Sequence, residues 1–169
     1  MSRKAPRQGI DLNGGVYRTP KDFIKVVNDE FPIAFDLASS DDNCIVPAHF
    51  TVKDDALSQS WPTDGWNWLN PPFNNIGRWA RKCREQLEYE GVRTLFLVPA
   101  SVGSNWYRDY VHSVAEVRFL NGRLTFEGHT TCYPKDLMLA IFEEDREPRK
   151  WPWNWRAVLN ALESTVPAQ

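Results

Sequence analysis

The tetrapeptide Asn70-Pro71-Pro72-Phe73 directly follows the apolar and aromatic run Trp66–Leu69, which predicts a strand ending in a polar turn. This arrangement suits methylation of an amino nitrogen that is a poor nucleophile, such as adenine N6, whose lone pair is shared with the ring. The side-chain carbonyl of Asn70 and the main-chain carbonyl of Pro71 can accept hydrogen bonds from such a group and hold its lone pair towards the methyl. Phe73 offers a surface on which an extruded base can stack.

The two prolines make this loop stiff, because each fixes its φ angle and neither has an N–H that would compete as a donor. The structural alternative is that Asn-Pro forms a common turn and Pro-Pro simply ends the strand. The position of the tetrapeptide at the end of a predicted strand favours the catalytic interpretation.

The composition is that of a globular protein, with 169 residues, 42% of them hydrophobic and 25% charged, which suits one domain with a real core. No run is long enough to span a membrane, and the polar, basic N-terminus has no signal-peptide pattern, so we expect a cytoplasmic protein. Three cysteines and three histidines are scattered without disulfide or zinc spacing, and we expect no metal. The net charge of −2 does not fit a passive nucleic-acid coat, but DNA binding depends on the distribution of charge.

The chain divides into a flexible basic arm over residues 1–15 and one domain over residues 16–164. Near the start of the domain, Thr19 predicts a helix N-cap, with Pro20 at the first helical position. The link between Asp36 and the acids near residue 54 is too short for a full helix–strand unit, so we expect the connection after the first strand to lack one.

Buried strands alternate with helices early in the chain. The Asn-Gly turn at 121–122 then predicts a hairpin that joins Val117–Leu120 to Leu124–Phe126. We therefore expect a single-domain α/β fold whose sheet is mostly parallel with an antiparallel edge. Ligands of such folds bind at the carboxyl ends of the strands, where Asp36 and Asn70 fall. The other strands predicted from apolar runs are Ile33–Ala38, Trp66–Leu69, Thr94–Val98 and Leu137–Phe142.

These residues, in this order, resemble the small phage and prophage DNA adenine-N6 methyltransferases of the Dam type. The resemblance implies a trimmed Rossmann-like fold that uses S-adenosyl-L-methionine to methylate adenine N6 in double-stranded DNA, with the target base flipped into the catalytic loop. It covers roughly residues 17–143 and rests on Tyr17–Pro20, Phe35–Ser40, Asp55–Leu57, Trp68–Phe73, Leu97–Ala100 and Gly122–Phe126.

The resemblance also implies a cofactor site beside the catalytic loop 70–73. Larger adenine methyltransferases have a glycine-rich loop after the first strand, whereas this chain has small residues that still permit close approach. The structural alternatives are that Asp36 is a cap and that the acids at 54–55 are solvated. The residues assigned to the cofactor are Tyr17, Thr19 and Pro20 at its methionine end, Asp36, Ala38 and Ser39 beside the first strand, and Asp54 or Asp55 at its adenosine end.

Basic side chains near the catalytic loop and around the Trp-rich segment 151–155 are candidate DNA contacts, because Arg and Lys neutralise phosphates. The alternative is a solvated surface, with the C-terminal helix docked by its tryptophans. The candidates are Arg78, Arg81, Lys82 and Arg84 on the helix after the loop, and Arg146, Arg149, Lys150 and Arg156 near the C-terminus.

Two other functions remain open from the residues. Loops of the same kind serve enzymes that methylate RNA guanine N2 or protein glutamine amides, so RNA or protein is the nearest alternative substrate. A non-catalytic DNA-binding relative is the other alternative, although intact Asn70 and Phe73 argue against it. The sequence indicates neither a recognition site in DNA nor an oligomeric state.

Overall fold

A computed structural model describes residues 17–165, so the predicted basic arm over 1–15 lies outside the described residues. A single sheet with helices packed against it forms this part of the chain. In chain order the elements are α1 (Lys21–Glu30), β1 (Ile33–Asp36), β2 (Trp66–Leu69), α2 (Ile76–Glu90), β3 (Arg93–Pro99), α3 (Asn105–Tyr110), β4 (Glu116–Leu120), β5 (Leu137–Phe142), β6 (Lys150–Trp153) and α4 (Trp155–Ser164).

The sheet has six strands in the order β1-β2-β3-β5-β4-β6. The first three strands run parallel, β5 is antiparallel to both of its neighbours, and β6 runs parallel to β4. The predicted α/β fold with a mostly parallel sheet is therefore confirmed. The predicted antiparallel edge is wrong, because the antiparallel strand β5 lies inside the sheet.

The predicted hairpin after β4 does not form in the described chain. Both sides of β4 are occupied, by β5 on one side and by β6 on the other, so a returning strand has no free edge. Gly122 still turns the chain with a φ of 80°, but residues 123–126 continue as an irregular segment that buries Leu124 and Phe126. The strand that takes the edge is β6, from the Trp-rich segment, for which the sequence predicted no strand.

The tryptophans of the C-terminal segment dock α1 and α4 on one face of the sheet. The ring of Phe23 on α1 lies 6.4 Å from Trp68 of β2, 5.9 Å from Trp153 and 5.2 Å from Trp155, measured between centroids. Trp153 and Trp155 are buried. The docking interpretation is therefore correct for these two tryptophans.

The connection from β1 to β2 contains neither a helix nor a regular strand over residues 37–65. Its one sheet-like contact is a parallel bridge between Asp36 and His49. The main chain of Asp36 accepts a hydrogen bond from the N–H of Phe50 at 2.8 Å and donates one to the oxygen of Ala48 at 3.0 Å. The connection thus lacks a helix–strand unit, as the short spacing predicted, and the long loop is hydrogen-bonded to the end of β1.

A buried ion-pair cluster joins β4 to α1 and to the chain before β6. Arg118 donates to Glu116 at 2.8 Å and, through both terminal nitrogens, to Glu30 at 2.6 Å. The second oxygen of Glu116 accepts from Arg146 at 2.8 Å. The Glu116 side chain is 1% exposed and that of Arg118 is 7% exposed. Removing either charge would therefore leave the other buried without its partner, which is strongly destabilising. Arg146 is therefore engaged inside the fold.

Arg118→Leu should lower the free energy of unfolding by about 3 kcal/mol or more, because it removes one partner of the buried Glu116 carboxylate. Arg149 is the matched control. It pairs with Glu147 at 3.5 Å on the surface, and Arg149→Leu should cost about 1 kcal/mol or less. Urea unfolding measures both losses. Equal losses would contradict a structural role for the cluster.

Candidate active site

The loop 70–73 leaves the carboxyl end of β2 between two parallel neighbours. In the β1–β2 register Asp36 lies opposite Trp68, so the ends of these two strands lie side by side. Asn75, with a φ of 60°, then turns the chain into α2 as its N-cap residue. The Asn75 side chain makes no capping hydrogen bond.

The side chain of Asn70 is held by the segment before α1. Its Nδ2 donates one hydrogen bond to the main-chain oxygen of Tyr17 at 3.2 Å and another to Oγ1 of Thr19 at 3.1 Å. An amide nitrogen has two hydrogens, so both are used and Oδ1 is the remaining polar atom of the side chain. Asn70 therefore keeps one acceptor that has no partner within the described residues.

Thr19 does not cap α1, contrary to the sequence prediction. The N-cap residue is Pro20, whose main-chain oxygen accepts a hydrogen bond from the N–H of Ile24 at 3.0 Å. The helix begins one residue later than predicted, which leaves Thr19 too far from the first turn to cap it. Its hydroxyl is used by Asn70 instead.

The ring of Phe73 is buried in an aromatic cluster and is 3% exposed. Its centroid lies 6.4 Å from that of Tyr17, with the planes 20° apart, and 5.6 Å from that of Tyr133. Tyr17 also packs against Phe126 at 4.9 Å. The same burial raises the pKa of Tyr133 to about 12, which keeps its hydroxyl protonated. The surface predicted to receive a base is thus covered by Tyr17 in this structure.

Two cavities meet at Asn70. One has a volume of about 340 Å³, and the other, over the catalytic loop, about 470 Å³. Both are bordered by Tyr17, Ala38, Ser39, Asn43 and Asn70. The first, which we call the polar cavity, adds Arg18, Thr19, Lys21, Asp36, Asp42 and Glu127. The second, which we call the apolar cavity, adds Leu37, Val52, Asp55, Pro71, Pro72, Phe73 and Trp79.

Asp36 is buried where β1 ends, and its carboxylate faces main-chain donors. Oδ2 accepts from the N–H of Ile45 at 3.0 Å, and Oδ1 from that of Ala38 at 3.3 Å. Burial raises the pKa of the carboxyl group above its ordinary value, and the two hydrogen bonds act in the opposite direction. Asp36 thus stabilises the turn after β1, as the structural alternative requires, and also borders the polar cavity.

Six of the eight residues predicted to bind the cofactor border the two cavities, and Pro20 and Asp54 do not. The carboxylate of Asp54 accepts from the N–H and the hydroxyl of Thr51, both at 2.7 Å, and these bonds lower its pKa. Asp54 therefore stabilises its own loop. Of the two acids left open by the sequence, Asp55 is the one that faces a cavity.

Sequence reasoning missed Glu127 and Tyr133, which the structure brings to this site. Glu127 borders the polar cavity, and its N–H donates to the main-chain oxygen of Arg18 at 3.0 Å. Tyr133 packs against Phe73. Both residues follow the segment that was predicted as a hairpin. No local spacing marks them, because their contacts join distant parts of the chain.

The basic residues of α2 fall into two groups. Arg81 and Arg84 each pair with a glutamate four residues further on, at 2.6 Å. Arg78, in the first turn after the catalytic loop, is exposed, and Lys82 lies 5.9 Å from the ring of Trp61. Neither Arg78 nor Lys82 forms an ion pair with the part of the chain described, so both keep their charge available.

The basic residues near the C-terminus lie away from the loop 70–73. Arg149 and Lys150 stand at the amino end of β6, four strands from β2, which is about 19 Å across the sheet at roughly 4.8 Å per strand. Arg156 donates to the main-chain oxygens of Asn121 at 3.2 Å and Arg123 at 3.1 Å. The structure does not bring Arg149 and Lys150 together with the catalytic loop, and DNA contact by them stays a prediction.

The described part of the chain has no helix long and apolar enough to cross a bilayer. Among the same residues, His, Cys, Asp and Glu side chains form no group of three that could hold a metal ion. All three cysteines are free, and burial raises the pKa of the Cys83 thiol well above its ordinary value.

The sequence matches one protein-family model over most of its length. That model is described as DNA N-6-adenine-methyltransferase (Dam), and it matches residues 9–151. The chain belongs to the Dam family. Membership confirms the resemblance inferred from the sequence and implies DNA adenine-N6 methyltransferase activity, with DNA as the substrate. A comparison with curated proteins finds no match.

DNA binding by this Dam-family protein should depend on salt through Arg78 and Lys82. Each phosphate contact adds roughly 0.9 to the slope of log affinity against log salt, so Arg78→Ala/Lys82→Ala should flatten that slope by up to about two. Arg149→Ala/Lys150→Ala removes the same charge at the amino end of β6 and should flatten the slope likewise if the predicted DNA contact there also forms. Titrations at several salt concentrations compare the two variants. A slope that changes only in Arg149→Ala/Lys150→Ala would move the interface to β6.

Proposed function

We propose that this Dam-family protein transfers a methyl group from S-adenosyl-L-methionine to N6 of an adenine in double-stranded DNA, after flipping that base out of the duplex. One observation carries the proposal: the Asn70 amide lies where two cavities meet, with both hydrogens engaged and its oxygen available. A cofactor that spans the two cavities passes Asn70, so an amino group bound to the free Asn70 oxygen would lie beside the transferred methyl. Flipping is required because N6 is paired inside the duplex.

We infer that the sheet is a trimmed form of the Rossmann-like methyltransferase fold. The parallel strands β1, β2 and β3 support this assignment, together with cavities at the carboxyl ends of the first two. The connection over residues 37–65, which contains no helix–strand unit, is the trimmed part.

The polar cavity suits the methionine end of the cofactor. When bound, S-adenosyl-L-methionine supplies a methyl group made electrophilic by a positively charged sulfur. Lys21 would bind the cofactor carboxylate, and Asp36 and Glu127 would bind the ammonium group. The fit is supported by Ser39, which borders both cavities and whose buried Oγ has no partner among the described residues.

The apolar cavity suits the adenosine end. Trp79, Pro72 and Val52 border it and would cover the faces of a purine ring. Asp55 borders the same cavity and would accept hydrogen bonds from the ribose hydroxyls. The small side chains of the turn after β1 leave room for the part of the cofactor that joins the two cavities.

Asn70 and Pro71 act on the amino group that receives the methyl. The Oδ1 atom of Asn70 and the main-chain oxygen of Pro71 accept hydrogen bonds from its two hydrogens, which favours tetrahedral geometry at nitrogen and frees the lone pair. An amide does not titrate, so Asn70 orients and polarises the amino group, and the proton that the nitrogen loses after gaining the methyl passes to solvent. The prolines offer no N–H that would compete.

The flipped adenine stacks on Phe73 in the place that the Tyr17 ring covers here. The two rings lie 6.4 Å apart and 20° from parallel, so one face of Phe73 already packs against a flat partner. Stacking of a base on an aromatic side chain contributes about 1–3 kcal/mol. An aromatic pair contributes about 0.5–1.5 kcal/mol, so stacking of the base can replace the single contact between the Tyr17 and Phe73 rings, while the Tyr17 main-chain oxygen stays bonded to Asn70.

Incubation with methyl-labelled S-adenosyl-L-methionine and DNA, RNA or protein tests the proposed function. We expect label in DNA, recovered as N6-methyladenine. Asn70→Ala should slow this transfer by about two to three orders of magnitude, because it removes an acceptor from the reacting group. Cofactor affinity measured by calorimetry should change little. Label only in RNA or protein would favour an alternative substrate, and a near-normal rate for Asn70→Ala would refute the mechanism.

Cofactor affinity should fall in acid over a higher pH range than an ordinary aspartate would produce. Burial raises the pKa of Asp36, so as the pH falls its carboxylate takes up a proton early and no longer attracts the ammonium group. Asp36→Asn should weaken binding at neutral pH and remove this dependence. Calorimetry across a pH series measures both effects, and thermal melts establish that the variant is folded. If the pH dependence of cofactor affinity persists in Asp36→Asn, a group other than Asp36 is responsible for it.

A further inference from the structure

The segment 17–21, which leads into α1, contacts the side chain of Asn70, and none of its side chains caps the helix. The hydroxyl of Thr19 and the main-chain oxygen of Tyr17 both accept from Nδ2 of Asn70, at 3.1 Å and 3.2 Å. The sequence assigned Thr19 first to an N-cap and then to the cofactor. Neither assignment accounts for its contact with Asn70.

A carboxamide has two different ends, and only one of them suits the target. If Nδ2 faced the amino group of the base, two donors would oppose each other. If Oδ1 faces it, a hydrogen bond forms. A half-turn about the last side-chain bond exchanges the two ends at little cost unless neighbours distinguish them. The Tyr17 carbonyl makes that distinction, because it can only accept and would repel the oxygen of a flipped amide. With Nδ2 fixed on this side, the Thr19 hydroxyl accepts the second N–H and holds the amide in place.

We propose that Thr19 is a positioning residue: together with the Tyr17 carbonyl, its hydroxyl holds the Asn70 amide so that Oδ1 is presented to the amino group that is methylated. This inference rests on the proposed function and deepens it. Thr19 acts through Asn70, and its effect is on the rate of the reaction rather than on ligand affinity.

The acceptors are themselves held in place by the rest of the fold. The main-chain oxygen of Arg18, between them, accepts from the N–H of Glu127 at 3.0 Å, and a Glu127 side-chain oxygen accepts from the N–H of Lys21 at 3.3 Å. The Tyr17 ring packs against Phe126 at 4.9 Å and Tyr133 at 5.5 Å. The orientation of Asn70 is therefore set before any ligand binds, which is the arrangement that stabilises a transition state efficiently.

Thr19→Val removes the acceptor and keeps the shape of the side chain, and Thr19→Ser keeps the acceptor. We expect kcat for DNA methylation to fall about tenfold in Thr19→Val, the value of one neutral hydrogen bond, with KM for DNA and for S-adenosyl-L-methionine unchanged. Thr19→Ser should restore kcat. A cofactor contact would instead raise KM for S-adenosyl-L-methionine. That result, or a kcat that Ser does not restore, would overturn the proposal.

A second measurement needs neither DNA nor cofactor. In ¹⁵N-labelled protein, the side-chain amide signals of Asn70 are those that disappear in Asn70→Asp. Their exchange with solvent should be slow in the wild type and in Thr19→Ser, and faster in Thr19→Val and in Thr19→Ala, which removes the acceptor together with the methyl group. Equal exchange in all four proteins would refute the positioning role. If exchange responds as expected but the wild type does not methylate DNA, the proposed function fails and the orientation of Asn70 stands.

Discussion

The parallel pairing of β1 with β2 is the constraint on which the site depends. Asp36 lies opposite Trp68 in this register, and the N–H of Leu37 extends the pairing to the Trp68 oxygen at 2.9 Å. The carboxylate of Asp36 at the end of β1 and the amide of Asn70 after β2 are thereby brought to the same edge of the sheet. A slip of one residue would turn Trp66 and Trp68 away from α1 and move Asn70 out of reach of Thr19. Both cavities would lose their common border.

The site is assembled from separate parts of the chain, and most of its order comes from contacts among them. The segment before α1 supplies acceptors for Asn70, the end of β1 supplies Asp36, the loop after it supplies Asp55, and the chain after β4 supplies Glu127. Each hydrogen bond contributes only about 1 kcal/mol. Their combined effect is geometric, since they decide which atom of the Asn70 amide faces a bound ligand.

Short sequence patterns predicted those strands that are defined by their own run of apolar residues. Trp66–Leu69 and Leu137–Phe142 were predicted with their observed bounds, because continuous apolar runs bury both faces of a strand. The Asn-Gly turn at 121–122 gives a local signal only, and it could not reveal that Lys150–Trp153 would occupy the edge a hairpin needs. The contact of Thr19 with Asn70 was equally inaccessible, because the two side chains are 51 residues apart in the chain. The position of the loop 70–73 at the end of β2 was predictable from its residues, whereas the orientation of the Asn70 amide was not.

The most direct test of this account is a crystal structure with a DNA duplex and a cofactor analogue that cannot donate its methyl. The account predicts an extruded adenine whose N6 lies within about 2.7–3.2 Å of the Oδ1 of Asn70, while Nδ2 keeps its contacts with Tyr17 and Thr19. It also predicts that the analogue spans the two cavities. An adenine bound with Nδ2 facing its amino group, or an analogue bound away from Asn70, would contradict it.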